Sequence, residues 1–194
     1  RNNINSHRMN ITIVSGSSRN PNLSHRVALH LQQKLTELYP AHHYCILDVR
    51  NHRLDFVNDV WMKKEDLPKE HEALGELVFD ADAFILVTPE YNGSYSAVMK
   101  NLLDHFPKYA KRVFGIVTYS TGAMGGMRAA HQMQQMICAF MGVPSPQMLL
   151  IGGVDKRIDE TGNSEDAVMH RMSDTFLNEF VWLAEAVYDK RKEG

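Results

Sequence analysis

The chain lacks most of what marks a secreted, membrane or nucleic-acid-binding protein. Only two cysteines occur in 194 residues, Cys45 and Cys138, far apart. That spacing excludes a disulfide framework, so two free buried thiols in a reducing cytoplasm are expected. No apolar run approaches the ~20 residues that a membrane-spanning helix needs. The opening RNNINSHR has no apolar stretch of the signal-peptide kind. Residues 1–8 are therefore expected to be an upstream remnant, with Met9 the natural start of a single domain over residues 9–190. A dominant charge sign is missing too: Lys and Arg number 21 against 23 Asp and Glu, a net of -2. Such a balance supplies neither a basic field for nucleic acid nor an acidic tail.

Several motifs are absent as well. No G-x-G-x-x-G follows the first apolar run and no G-x-x-x-x-G-K-[ST] occurs, which argues against a Rossmann dehydrogenase and a P-loop enzyme. Without a G-x-S-x-G elbow, a triad hydrolase is not expected. The histidines are scattered, and the adjacent His42 and His43 would not face one another in a strand or a helix, so no metal site is expected.

Five short apolar runs rich in β-branched residues are present: Ile11–Ser15, Tyr44–Asp48, Phe84–Thr88, Val113–Thr118 and Met148–Ile151. They are near-continuous rather than alternating, the pattern of strands buried on both faces. Helical periods lie between them. Val27, Leu31 and Leu35 mark the first, stopped by Pro40; Leu74, Leu77, Val78 and Ala81 the second, with Pro68 near its first turn. Val98, Leu102 and Phe106 mark a third that must end before Pro107. Met133, Ile137 and Phe140 mark a fourth, with Gly142 placed for a left-handed cap, and Met172, Phe176, Phe180, Leu183 and Val187 mark a long fifth. Strands alternating with helices predict a doubly wound α/β fold with a five-stranded parallel sheet, order 2-1-3-4-5 and helices on both faces. The stretch Val49–Asp66 is too long for a bare connection in such a fold.

In this architecture a ligand sits beyond the carboxyl ends of the strands, where the strand order reverses between the first and third. The loop SGSSRNPNLSHRVA, Ser15 to Ala28, brings hydroxyls and an arginine to a helix N-terminus, a setting for a single phosphate. A plain cap by Asn22 or Ser24 with a solvated arginine accounts for the same residues. The loop PEYNGSYS, from Pro89, offers a fixed φ, an Asn92-Gly93 turn and a broad ring, Tyr91, suited to a planar heterocycle. The plainer alternative is a turn into a helix capped by Ser94, with Glu90 solvated. The loop TYSTGAMGGMR carries three glycines that leave room for a ligand, or simply form a flexible joint. Lys100 and Asp104 read as a surface ion pair one helical turn apart.

With GSSR at Gly16–Arg19, PEYNGS at Pro89–Ser94, KNLLD at Lys100–Asp104 and STGAMGG at Ser120–Gly126, the chain resembles the NADPH-dependent FMN reductase family of flavodoxin-like proteins. That family includes quinone, azo-dye and chromate reductases, and the resemblance runs from about Ile11 to Gly153. It implies that Ser17, Ser18, Arg19, Asn22, Leu23 and Ser24 hold the FMN phosphate. It implies that Pro89, Glu90, Tyr91 and Asn92 line the isoalloxazine, and that Ser120 and Gly122 close its other side. Where many members have Ser and then Asn after the arginine, this chain has Asn22 and Ser24. The expected activity is NAD(P)H oxidation through FMN, with no catalytic side chain. A quinone, flavin, azo compound or oxidised metal ion would take the electrons. A flavodoxin-like carrier without NAD(P)H activity and a non-catalytic flavin-binding regulator stay open as alternatives. The resemblance also implies a homodimer or homotetramer packed through the third and fourth helices. Met124, Met127, Met133, Met136 and Met141 would serve that contact, or else fill the core.

Overall fold

The computed structural model describes residues 8–107 and 109–193, so the expected upstream remnant falls, except for Arg8, outside the described residues. A parallel sheet is built from β1 (Asn10–Ser15), β2 (His43–Asp48), β3 (Ala83–Pro89), β4 (Val113–Ser120), the short β5 (Val143–Pro144) and β6 (Leu149–Gly152). Its order is β2-β1-β3-β4-β5, with β6 also paired to β4. The order 2-1-3-4-5 is therefore as expected, but the fifth position is divided between two short strands. The Val143 and Ser145 N–H groups donate to Arg112 O and Phe114 O, so Pro144 between them turns its missing N–H to the open edge of the sheet. While β4 passes Gly115 and Ile116, the neighbouring chain spends Pro146 to Met148 outside the regular pairing, then rejoins at Leu149.

Helices α1 (Leu23–Leu38) and α5 (Ala167–Glu193) cover one face; α2 (Glu72–Phe79), α3 (Ala97–Asp104) and α4 (Met127–Ala139) cover the other. Alternate strand residues feed the two cores. Ile11, Ile13, Ile85 and Val87 meet α1 and α5, while Val14, Phe84 and Leu86 meet α2, α3 and α4. Every residue of β3 is buried, which explains its unbroken apolar run.

Four local expectations change. The left-handed residue after α4 is Met141, with φ 57°, and not Gly142. A Cβ at Gly142 would meet the Phe114 ring at 2.8 Å, so that glycine serves packing. Helix α3 is capped by Ser96, whose hydroxyl accepts from the Met99 N–H, and not by Ser94. Both cysteines are free, as expected, yet Cys45 is half-buried and Cys138 exposed. Of the five methionines around α4, Met133 and Met136 belong to the core, while Met124, Met127 and Met141 are exposed.

The stretch from Val49 to Asp66 begins and ends in single 3-10 turns, Val49–Asn51 and Lys64–Asp66. It is tied to α3 and its end: the Asn101 amide donates to Asp55 O, and the Trp61 N–H donates to His105 O at 2.8 Å. Trp61 is buried against His105 and Phe106, leaving Phe56 87% exposed. No helix among the described residues is long and apolar enough to cross a membrane.

Candidate functional site

The chain leaving β1 stays close to β3 for one more residue: the Gly16 N–H donates to Val87 O at 2.8 Å. A Cβ there would lie 2.7 Å from Val87 O and 2.8 Å from the Met99 sulfur, so only glycine allows this approach. The Ser96 hydroxyl donates to Gly16 O and fastens the turn to the start of α3. Asn22 then caps α1. Its Oδ1 accepts from the His25 N–H at 3.0 Å and its Nδ2 donates to Ser17 O at 2.7 Å, which folds the loop back on itself. Capping satisfies one orphan donor of the helix and leaves the N–H groups of Leu23 and Ser24 to partners outside it.

The loop after β3 is a tight turn. Asn92 and Gly93 have φ of 53° and 80°, and Tyr91 and Ser94 exchange two backbone hydrogen bonds around them. This is the primed turn that Asn-Gly favours. It sets Tyr91 so that its hydroxyl lies 3.2 Å from Ser17 Oγ, with the Arg19 guanidinium 4.1 Å from the ring centroid. Glu90 turns the other way: its carboxylate accepts from the N–H groups of Arg128 and Ala129.

After β4, Ser120 shapes the glycine loop, donating to Gly122 O at 2.8 Å and accepting from the Gly125 N–H at 3.0 Å. Gly126 begins α4 at φ 79°, a left-handed position without a capping side chain. Tyr119, one residue before Ser120, reaches back to the first loop, its hydroxyl 2.7 Å from Ser24 Oγ.

Ser17, Arg19, Leu23, Pro89, Glu90, Tyr91 and Ser120 line one cleft of about 190 Å³, together with Pro21, Tyr119 and Thr121. Five expected residues lie off its wall: Ser18, Asn22, Ser24, Asn92 and Gly122. Ser18, Asn92 and Gly122 are exposed, and Asn22 is buried as the cap described above. Ser24 borders the site only through Tyr119. Sequence reasoning missed Tyr119 because the loop that contains it, TYSTGAMGGMR, was read for its three glycines. Among the described residues no cluster of three or more His, Cys, Asp or Glu could hold a metal.

A parallel sheet whose order reverses between β1 and β3, with a cleft at the carboxyl ends of those strands, defines a flavodoxin-like protein. Within that class, the model of the NADPH-dependent FMN reductase family matches residues 9–154. The chain belongs to this family and is an enzyme that works with FMN and NAD(P)H. A 2-hydroxy-1,4-benzoquinone reductase from a Burkholderia species is 31% identical over 124 residues, spanning 59% of this chain and 67% of that one. A quinone reductase from Pseudomonas putida is 28% identical over 164 residues, spanning 80% and 84%. The fold is similar to that of the flavoenzyme NAD(P)H:(acceptor) oxidoreductase from Paracoccus denitrificans. The TM-score is 0.73 at 20% identity, covering 90% of this chain and 97% of the other.

The residues present suit FMN. A phosphate at the start of α1 would meet the N-terminal end of the helix, serine hydroxyls and a guanidinium. The single carboxylate on the cleft wall, Glu90, is already engaged by α4 and by Arg128. Apart from Arg19 and Glu90, the residues that line the cleft are uncharged.

Proposed function

We propose that FMN lies in this cleft with its phosphate at the N-terminus of α1, and that the enzyme passes two electrons from NAD(P)H to a small-molecule acceptor, a quinone first. The observation that carries this reading is the convergence of the loops after β1, β3 and β4 on one cleft. Bound FMN would supply the redox chemistry, accepting hydride from NAD(P)H and giving electrons to the acceptor.

The chain's own residues bind and orient. Arg19 would fork onto the phosphate, with Ser17 and Ser24 donating from below. Pro89 and Tyr91 would hold one side of the ring, and Ser120 would keep the glycine loop against its other side. Glu90 would hold the β3 loop in place without touching the ring. No nucleophile or general base is required. Quinone acceptors are supported by the names of the relatives above, and azo compounds by an FMN-dependent NADPH-azoreductase from Staphylococcus saprophyticus, 27% identical over 112 residues. Free flavins and oxidised metal ions are weaker candidates. We place the reaction within residues 9–190 and in the cytoplasm, a reducing compartment in keeping with free Cys45 and Cys138. The exposed Met124, Met127 and Met141 support a homodimer or homotetramer.

If NADP leaves before the acceptor enters the same face, initial rates at several benzoquinone concentrations give parallel double-reciprocal lines. Intersecting lines would overturn the shared face. Absence of NADPH and NADH oxidation by the FMN-loaded protein would overturn the reading itself.

A further inference from the structure

We infer that Tyr119 is a positioning residue for the phosphate group of the cofactor: its phenol holds the Ser24 hydroxyl so that one proton of the pair points to an anion at the N-terminus of α1. The inference rests on the proposed reading of that helix end as the phosphate site.

The contact is a long reach. β3 lies between β4 and β1, so Tyr119 crosses an entire strand, roughly 10 Å of sheet, to meet the first loop. Its side chain is 4% exposed and its hydroxyl lies 2.7 Å from Ser24 Oγ, which is itself buried. A phenol and a serine hydroxyl carry one proton each, and the hydrogen bond between them uses only one. The Ser17 hydroxyl also touches the phenol, so the hydroxyls of Tyr91, Ser17, Tyr119 and Ser24 form one row with one proton more than its links use, in a buried setting where an unspent donor is costly. Ser24 is the second residue of α1, and its N–H, which finds no carbonyl within the helix, turns to the Tyr119 phenol oxygen. Phenol, hydroxyl and N–H therefore share one small region at the positive end of a helix dipole.

The same device occurs a second time. Ser17 Oγ pairs with the Tyr91 hydroxyl at 3.2 Å and accepts from the Arg19 N–H at 3.2 Å. Two tyrosines from the ends of adjacent strands thus orient two serines of the first loop. Burial pushes the Tyr119 phenol up to about 12, against the pull of the Ser24 and Ser17 hydroxyls and the Ser24 N–H, so it stays a proton donor at neutral pH. A purely packing role would be served as well by phenylalanine, because the ring alone belongs to the core under α1 and α5.

Flavin-free wild type, Tyr119→Phe, Ser24→Ala and the double variant would be titrated with FMN and with riboflavin, following flavin fluorescence. Tyr119→Phe should weaken FMN by about tenfold and leave riboflavin unchanged. Ser24→Ala should do the same, and the double variant should lose no more than either alone, since both remove one unit. Equal weakening of FMN and riboflavin, or unchanged FMN affinity, would overturn the inference. Should Tyr119→Phe fail to fold, Ser24→Ala carries the same test by its FMN-specific loss. A wild type that does not distinguish FMN from riboflavin would instead overturn the phosphate site on which the inference rests.

Discussion

Glu90, at the end of β3, accepts hydrogen bonds from the N–H groups of Arg128 at 3.1 Å and Ala129 at 3.4 Å, and so caps α4 from 38 residues away. The helix needs this help because its own cap position is Gly126, which has no side chain to offer. One carboxylate therefore joins two of the three loops that form the cleft. Replacing it should loosen both. Glu90→Ala is expected to destabilise the protein by about 0.5–2 kcal/mol, the range for a lost helix cap, when followed by urea denaturation. Arg128→Ala should cost far less, because that guanidinium is 74% exposed and stands 3.3 Å from the carboxylate. Equal losses from the two variants would mean that the ion pair, and not the cap, matters.

Arg19 offers a direct test of the phosphate assignment. Arg19→Ala is expected to weaken FMN by about tenfold to a hundredfold, the cost of one charge-assisted hydrogen bond. Arg19→Lys should recover part of this, keeping charge without the planar fork. Riboflavin should bind all three proteins alike in a fluorescence titration, since it has no phosphate to lose.

His30 should make stability depend on pH. Its Nδ1 lies 3.0 Å from Gly162 O and its Nε2 3.0 Å from Ser173 Oγ, a pairing that the neutral ring completes with Nδ1–H donating and Nε2 accepting. Burial lowers its pKa below the ordinary 6.5; Lys34 and His170 add to this, while the Gly162 carbonyl and Asp174 oppose it. The sign follows from linkage. Below 6.5 the unfolded chain takes up a proton that the folded one resists, so stability is full above that pH and falls as pH drops toward the folded value. Denaturation at about pH 7.5 and about pH 5.5 should show this loss, and His30→Gln should reduce the difference between the two. An unchanged pH slope in the variant would remove His30 as its source.

The oligomeric state can be checked without the cofactor. Exposed Met124, Met127 and Met141 flank α4, and a groove between α3 and α4 is lined by Tyr95, Gln132, Met136 and Phe140. Light scattering at micromolar concentration should give at least twice the mass of the 22.1 kDa chain. Changing Gln132 to Glu on that groove should shift the mass toward monomer; a monomeric wild type would end the proposal.

Much of the fold was legible because burial leaves a local trace. β3 is buried on both faces, so every position had to be apolar or small, and the run from Ala83 to Val87 announces it. Asn92-Gly93 likewise announces a turn with two positive φ angles, because few other residue pairs tolerate them. The divided fifth strand was less visible: Pro144 and Pro146 stand in the sequence, but where the chain leaves β4 and rejoins it depends on the Val143 and Leu149 registers.

The roles of polar side chains were hardest to read. Glu90 and Asn22 belong to recognisable motifs, yet the first is spent on α4 and the second on capping α1 and holding Ser17 O. Tyr119 was passed over because its loop reads chiefly as a run of glycines, and nothing local links it to Ser24, 95 residues distant. The first four strands, the order of elements and the turn at Asn92-Gly93 could be read locally, since each rests on local geometry and on which faces are buried. Which donor meets which acceptor in the cleft follows from the packed fold alone. A hydrogen bond requires alignment within a few tenths of an ångström, and for Tyr119 and Glu90 that alignment comes from strands and helices packed together from distant parts of the chain.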